Sequence, residues 1–273
     1  MKLKKLRKIY RVLFPIKFSP CQIFINNLKV NNHIKSFEKE GKLYTFILQN
    51  NQKIYCRDQN HSDYSVFNQV FSFEEYSTVS SVLNLNKEFD FKESVLIDAG
   101  ANVGFATIYL SQKKIFDKIF CIEPSKSNFE ILKKNVSSLD TTINLTLLEN
   151  ALSAKENESF YIENHFRDGK DWSLTTTQRE NGEVKGITIN EIIKKHQLEE
   201  ITLLKIDIEG AERFIFDESE NLAFLDKTKV IVVEIHDEFN IRQDIYQVLK
   251  NNNFLLIESG ELTIAINKKL YRF

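Results

Sequence analysis

Three things are scarce in this chain, and each absence removes a class of protein. Cysteine is the first. Cys21, Cys56 and Cys121 are odd in number, far apart, and form no CxxC or other metal-ligand pattern. That spacing argues against a disulfide framework and fits a reduced, cytoplasmic setting. Excess charge is the second: the net value is −1 at pH 7, which leaves a nucleic-acid partner driven by global electrostatics without support. Long apolar runs are the third. None reaches the length that a bilayer-spanning helix needs. Nor does an apolar stretch with a small-residue cleavage site follow the basic start, as a secretory signal would require. Repeats and low-complexity tracts are also missing. What remains is 273 residues, 42% hydrophobic and 27% charged, enough for one sizeable core and a smaller appendage.

Charge is uneven at the start. Residues 1–11 carry six basic side chains and no acidic one, with Leu3, Leu6, Ile9, Tyr10 and Leu13 at helical spacing. The pattern suits a basic amphipathic helix in peripheral contact with the inner face of an anionic membrane. A solvated, partly frayed terminus is the commoner reading of such a start.

The composition shifts near residue 93, so we expect an N-terminal α+β extension over 1–92 and a main domain over 93–273. In the extension, 43–48 and 53–56 alternate like strands, and 65–83 has helical apolar spacing. The main domain alternates between strand and helix. Strands are predicted at 95–98, 118–122, 145–148, 201–207 and 230–235, and helices at 104–112, 127–136 and 241–251. Strands at 254–257 and 262–266 close the chain. The nearly continuous apolar runs belong to parallel strands covered on both faces. The fold class is therefore α/β, an open doubly wound sheet.

Such sheets bind ligands beyond the carboxyl ends of their strands. Asp98, Glu123, Glu149, Asn150, Asp207 and Glu234 all fall at or just after a predicted strand end, so they should face one crevice. The first turn reads Asp98-Ala99-Gly100-Ala101-Asn102-Val103-Gly104, without the three-glycine spacing of a dinucleotide loop. A pyrophosphate at this turn would be repelled by Asp98, whereas S-adenosylmethionine carries an ammonium and a sulfonium that an anion attracts. Asp98 as a plain helix cap is the bland alternative. A nicotinamide-dependent oxidoreductase is the enzyme-class rival that Asp98 opposes.

The run 98–104, then Ile122-Glu123-Pro124-Ser125, Glu149-Asn150-Ala151-Leu152-Ser153 and Leu204-Lys205-Ile206-Asp207-Ile208-Glu209-Gly210-Ala211-Glu212, resembles the FkbM-type methyltransferase family over about residues 94–240. The Lys205–Glu212 block is its most specific piece. Arg57, Ser62-Asp63, 66–71 and Glu75-Tyr76 more loosely resemble the extension of carbohydrate-associated members. The resemblance implies a Rossmann-like methyltransferase sheet, S-adenosylmethionine as cofactor, and methylation of a hydroxyl on a sugar or glycan acceptor. A lipid or small-molecule hydroxyl is the alternative acceptor, and a non-catalytic donor-binding module in glycan assembly the alternative role. Glu123 would take the ribose hydroxyls, with Pro124 beside it. Asn150 and Ala151 would flank the adenine. Gly100, Asn102 and Gly104 would admit the methionine portion near Asp98, and Asp207 would lie close by. Glu75 and Tyr76 would close over the cofactor, unless Tyr76 simply packs a helix.

An alcohol needs a base or a metal to lose its proton. Asp207, Glu209, Glu234 and His236 are the candidates. His236 reads either as a general base or as a structural histidine, and Asp207 and Glu209 double as cap and first-turn carboxylate. Asp207, Glu234 and His236 would be the set for a magnesium ion. Lys205, in a buried strand, should meet a carboxylate, with Glu234 the favoured partner. The polar stretch 160–185 holds the single tryptophan, Trp172, read as an acceptor-stacking lid or a loop anchor.

Overall fold

The computed structural model describes residues 18–58, 62–85, 93–112, 116–163, 175–178 and 182–271. Trp172, the basic residues 1–17 and the expected boundary near 92 lie outside them.

The main sheet has seven strands. β4 (Val95–Ala99), β5 (Lys118–Ile122), β6 (Asn144–Leu148), β11 (Ile201–Ile206) and β12 (Thr228–Glu234) run parallel. β14 (Leu262–Asn267) pairs antiparallel with β12, and β13 (Phe254–Ser259) antiparallel with β14. The order is β13-β14-β12-β11-β4-β5-β6. The chain therefore steps outward from β4 to β6 and returns to place β11 on the other side of β4. Strand order reverses between β4 and β11, and there the ends of the strands open a crevice. Every residue of β4 and of β11 is buried, as uninterrupted apolar runs require when both faces are covered.

Helices α4 (Phe105–Ser111), α5 (Lys126–Val136), α6 (Ile189–His196), α7 (Glu212–Ile215) and α8 (Arg242–Asn251) connect these strands. The start of α5 is fixed by Ser125, whose hydroxyl accepts from the Asn128 N–H. α6 begins with a capping box between Thr188 and Glu191 and ends on Lys194, Lys195 and His196; both features favour a short helix.

The extension holds α1 (Pro20–Val30) and an antiparallel sheet of β1 (Ile34–Glu40), β2 (Leu43–Leu48) and β3 (Lys53–Arg57). It continues through α2 (Asp63–Phe67), a π-helical turn at Asn68–Ser72, and α3 (Ser77–Leu85). The alternation of β2 buries Tyr44, Phe46 and Leu48. Phe24 of α1 lies against Tyr44, Phe46, Tyr64 and Phe67, and Phe67 reaches Phe105 of α4 at 5.7 Å. Side chains of the extension and of the main sheet thus share one apolar cluster. Polar ties reinforce it. Asn135 of α5 exchanges hydrogen bonds with the Tyr55 backbone and donates to the Val103 carbonyl. Arg57 is bidentate on Asp63 and donates to Asn128.

The stretch expected to be an irregular loop is in part a sheet. β8 (Ser159–Glu163), β9 (Thr175–Gln178) and β10 (Val184–Ile187) join β7 (Ala151–Leu152) in the order β7-β10-β8-β9. Its strands are too short and too polar to announce themselves by apolar alternation.

Candidate active site

The turn after β4 is shaped first by the chain's own packing. Gly100 has φ +76°, and a Cβ there would stand 1.7 Å from the Asp207 carbonyl oxygen. Gly104 has φ +85°, and its Cβ would meet Leu132 of α5. Both glycines are needed for close approach within the protein. Gly100 also lines the cavity at the strand ends, whereas Gly104 lies behind it. Asn102, at φ 51°, lines the cavity, and its amide oxygen is buried without a partner. Its N–H donates to Glu123 at 2.8 Å, and the Ser125 N–H donates to the other Glu123 oxygen at 2.8 Å. Burial pushes the Glu123 pKa up to about 7, against the pull of those two backbone donors.

Asp98 does not face the ligand space. It is fully buried beneath the turn, accepts the Thr107 hydroxyl, and lies 3.2 Å from Lys205 Nζ. Lys205 and Asp98 are register partners on adjacent strands, which the sequence alone cannot reveal. The expectation that Asp98 presents a free anion to the cofactor is therefore corrected: its charge is neutralised inside the protein. The Lys205 partner expected from sequence, Glu234, is corrected too. Lys205 meets Asp98 and, at 3.5 Å, Asp207, and donates to the Gly100 carbonyl at 2.7 Å. Burial pulls this amine toward neutrality, but the two carboxylates outweigh it and keep it protonated.

The anionic character sits instead on the cavity walls. Glu75, Glu123, Asp207, Glu209 and Glu234 line it, with Lys205 as the basic member. Burial, then the charge of Asp207, raises the Glu234 pKa to about 9. Burial, then Asp207 and Glu261, raises Glu75 to about 7. Carboxylates crowded this way favour a cation, which would draw their pKa values back down.

The Lys205–Glu212 block shapes the turn that follows β11. Glu209 and Gly210 turn the chain with positive φ, and a Cβ on Gly210 would strike the Phe239 ring at 2.1 Å. Glu212, buried, accepts from the Ile208 N–H at 3.0 Å and from His236 Nδ1 at 3.2 Å. His236 Nε2 lies 3.3 Å from Glu209. Burial pulls the imidazolium down, but its bonds to Glu209 and Glu212 outweigh this and hold the pKa at about 11. A histidine that keeps its proton at neutral pH, with both nitrogens engaged, has no lone pair to offer as a base. The general-base reading of His236 is corrected to a buried cation bracing the 207–212 turn. Among the described residues, the ligand-capable groups that come together are Asp207–Glu209–His236 and Glu75–Glu234–Glu261, each within 4.8 Å, not the Asp207–Glu234–His236 set expected.

Of the other expected residues, Pro124 and Ala151 line the cavity, and Asn150 does not, its amide donating to the Lys185 carbonyl. Sequence reasoning missed Val66, Gln69, Val70 and Asn128 as lining residues; the first three lie on the extension, where no strand-end rule applies. Glu75 and Tyr76, expected to close over the cofactor, do form part of the wall.

A Rossmann-like sheet with a carboxyl-lined crevice at its switch point places the chain among the α/β proteins that bind ligands at their strand ends. Comparison with other proteins gives the family. The Methyltransferase FkbM domain matches residues 98–256, more than half of the chain. The chain belongs to the FkbM methyltransferase family and is an S-adenosylmethionine-dependent methyltransferase. It is 24% identical over 192 residues to the methyltransferase sdnD of Sordaria araneosa, covering 58% of this chain and 73% of that one. Among solved structures, it is similar to the methyltransferase FkbM of Methylobacillus flagellatus KT (16% identity, TM-score 0.38, covering 77% of this chain and 56% of that one). It is also similar to TrmK of M. capricolum, solved with S-adenosylhomocysteine (15% identity, TM-score 0.36, 68% and 67% coverage).

Proposed function

We propose that the enzyme methylates a hydroxyl oxygen of a sugar or glycan acceptor in the cytoplasm. The observation that carries the oxygen-directed reading is the unequal wall of carboxylates: Asp207, beside the Lys205 cation, and Glu234, which burial keeps protonated at neutral pH. One can take a proton while the other donates a hydrogen bond, the division of labour that an alcohol acceptor needs.

The residues present fit the cofactor. Glu123 keeps its carboxylate oriented by two backbone N–H groups, leaving lone pairs for the ribose hydroxyls. The Asn102 amide oxygen, buried and unpartnered, offers a further acceptor beside it. Asp207 and Glu75 give the cationic end carboxylate partners, with Glu234 as a hydrogen-bond donor in the same wall. Bound S-adenosylmethionine supplies an electrophilic methyl group on a sulfonium centre. Catalysis by the protein then consists of holding an acceptor oxygen in line and receiving its proton. Asp207 is the residue we assign to the proton; Glu209 lines the same cavity but turns one oxygen to His236.

The preference for a saccharide rests on the family resemblance of the motifs. A second opening beside the cofactor cavity supports it, because its lining combines polar side chains, among them Ser153, Lys155 and Glu158, with the exposed ring of Phe214. Aromatic rings of this kind can pack on the apolar face of a sugar. The test is incubation with S-adenosylmethionine and a panel of saccharides and lipid alcohols, following S-adenosylhomocysteine release and locating the added methyl by mass spectrometry. A methyl on a sugar hydroxyl is the expected result. Methylation confined to lipid or small-molecule alcohols would replace the saccharide reading, and a methyl on nitrogen or carbon would end the oxygen-directed one.

A further inference from the structure

S-adenosylmethionine brings more than a cation to the crevice. Its methionine end is a zwitterion, so a carboxylate must be accommodated beside the ammonium, in a cavity walled by carboxyl groups. A carboxylate taken out of water needs N–H or O–H donors, and it can accept about four hydrogen bonds. The turns at the strand ends have few to spare. The N–H groups of Gly100 and Ala101 are donated to the Ile122 carbonyl, that of Asn102 to Glu123, and that of Gly104 to the Ala101 carbonyl. The Asp207 N–H goes to the Ala99 carbonyl and the Ile208 N–H to Glu212. Lys205 divides its protons among Asp98, Asp207 and the Gly100 carbonyl. These donors are committed to the protein's own packing.

The extension supplies what is missing. Asn68–Ser72 is a π-helical turn, in which the Phe73 N–H reaches back to the Asn68 carbonyl. Such wide turns are rare and recur at functional sites. Val66, Gln69 and Val70, spaced i, i+3 and i+4 across the junction of α2 and this turn, present one face to the cavity. The Glu75 N–H then bonds to the Gln69 carbonyl, folding the chain back so that Tyr76 joins the same wall. Tyr76 is 4% exposed, and its phenol lies within electrostatic reach of Lys205 and Asp207. Among the described residues, neither the Gln69 amide nor the Tyr76 hydroxyl has a hydrogen-bond partner. Both are neutral donors, able to meet a carboxylate without repelling the ammonium next to it.

We propose that Gln69 and Tyr76 hold the carboxylate of the cofactor's methionine end, which makes the extension part of the cofactor site. The ribose is then read by the main domain through Glu123, and the amino-acid end by the extension. This role depends on the cofactor and is independent of the acceptor's identity.

The test is calorimetric titration of the full chain with S-adenosylhomocysteine and with its aminopropyl analogue, which keeps the amine and lacks the carboxylate. The wild type should prefer S-adenosylhomocysteine by about tenfold or more, as charge-assisted hydrogen bonds imply. Gln69→Leu and Tyr76→Phe preserve volume and ring. Each should weaken S-adenosylhomocysteine about tenfold, the effect of losing one hydrogen bond to a charged group, and leave the analogue within about two-fold. Gln69→Glu should reverse the preference, because a carboxylate there repels the one ligand and attracts the other. Equal losses for both ligands would mean that the two residues only pack the wall, and would overturn the proposal. An unchanged ratio in both variants would overturn it too, leaving the carboxylate to Asn102 or to the start of α4. Binding of neither ligand by the wild type would strike the cofactor assignment and this role with it. The readout needs no acceptor, so an error in the saccharide reading cannot produce any of these results.

Discussion

Two buried cations stand at the ends of neighbouring strands, Lys205 on β11 and His236 just beyond β12. Each is 3% exposed and each lies between carboxylates, Asp98 and Asp207 for the lysine, Glu209 and Glu212 for the histidine. By burial and partnership they are near equivalents. They differ in what the neighbouring space is. Lys205 lines the cavity and holds the Gly100 carbonyl, so it sets the floor of the cofactor site. His236 does not line it and braces the turn behind. Burial and charge alone therefore do not mark a group that touches the ligand; the direction of its remaining valences does.

Removing each cation separates the two roles. Lys205→Met and His236→Leu should each cost about 3–5 kcal/mol in denaturant unfolding, because both leave buried carboxylates without a counter-charge. Binding separates them. Lys205→Met should lose more than tenfold in S-adenosylhomocysteine affinity among the molecules that remain folded, and His236→Leu only a few-fold. Equal losses would show that the turn and the floor work as one unit. Adding Asp98→Asn to Lys205→Met should restore part of the stability by removing the stranded anion.

The next effect lies in turnover. Asp207→Asn keeps the shape of the side chain but cannot accept a proton, and kcat should fall by about 10²–10³-fold with cofactor affinity within a few-fold. His236→Gln, provided that it folds, should retain far more activity if the histidine is only a brace. A smaller effect is expected at Glu123. Glu123→Ala should weaken cofactor binding by about 1–3 kcal/mol, the range for losing hydrogen bonds to a buried charged acceptor. Calorimetric titration checks it, and unchanged affinity would place the ribose elsewhere.

The same contrast explains what could be read from the sequence. β4, β5, β11 and β12 were legible because a strand covered on both faces must be apolar throughout, and a polar residue at its end then has one place to go. Glu123 and Asp207 follow directly from that. The Asp98–Lys205 pair does not, since it depends on the register of strands whose residues are more than a hundred positions apart. Nor does the role of Glu212, which looks like any first-turn carboxylate until Ile208 and His236 are seen to share it. α6 was missed although Thr188 and Glu191 spell its capping box, because the polar segment before it suggested a loop. The walls supplied by Val66, Gln69 and Val70 carry no chemical signal at all; only packing of the extension puts them there.

The smallest effects are in pH, and they run in opposite directions for stability and binding. His236 holds its proton to about 11 in the folded protein against an ordinary 6.5. Its stabilising contribution is therefore full below pH 6.5 and is lost as pH rises through 11. Glu234 and Glu123, raised from 4.5 to about 9 and about 7, bind protons more tightly folded than unfolded, so their contributions also decline with rising pH. The Glu123 share is lost between pH 4.5 and about 7, and those of Glu234 and His236 make stability fall further from pH 7 toward 11. Cofactor binding should do the reverse between pH 6 and 8. A cation placed beside Glu75 and Glu234 lowers their pKa values and expels protons, so affinity should rise a few-fold over that range. Calorimetry in buffers of different ionisation enthalpy should register the proton release directly. Affinity independent of pH, with no proton exchanged, would mean that the acid wall does not meet the cationic end of the cofactor.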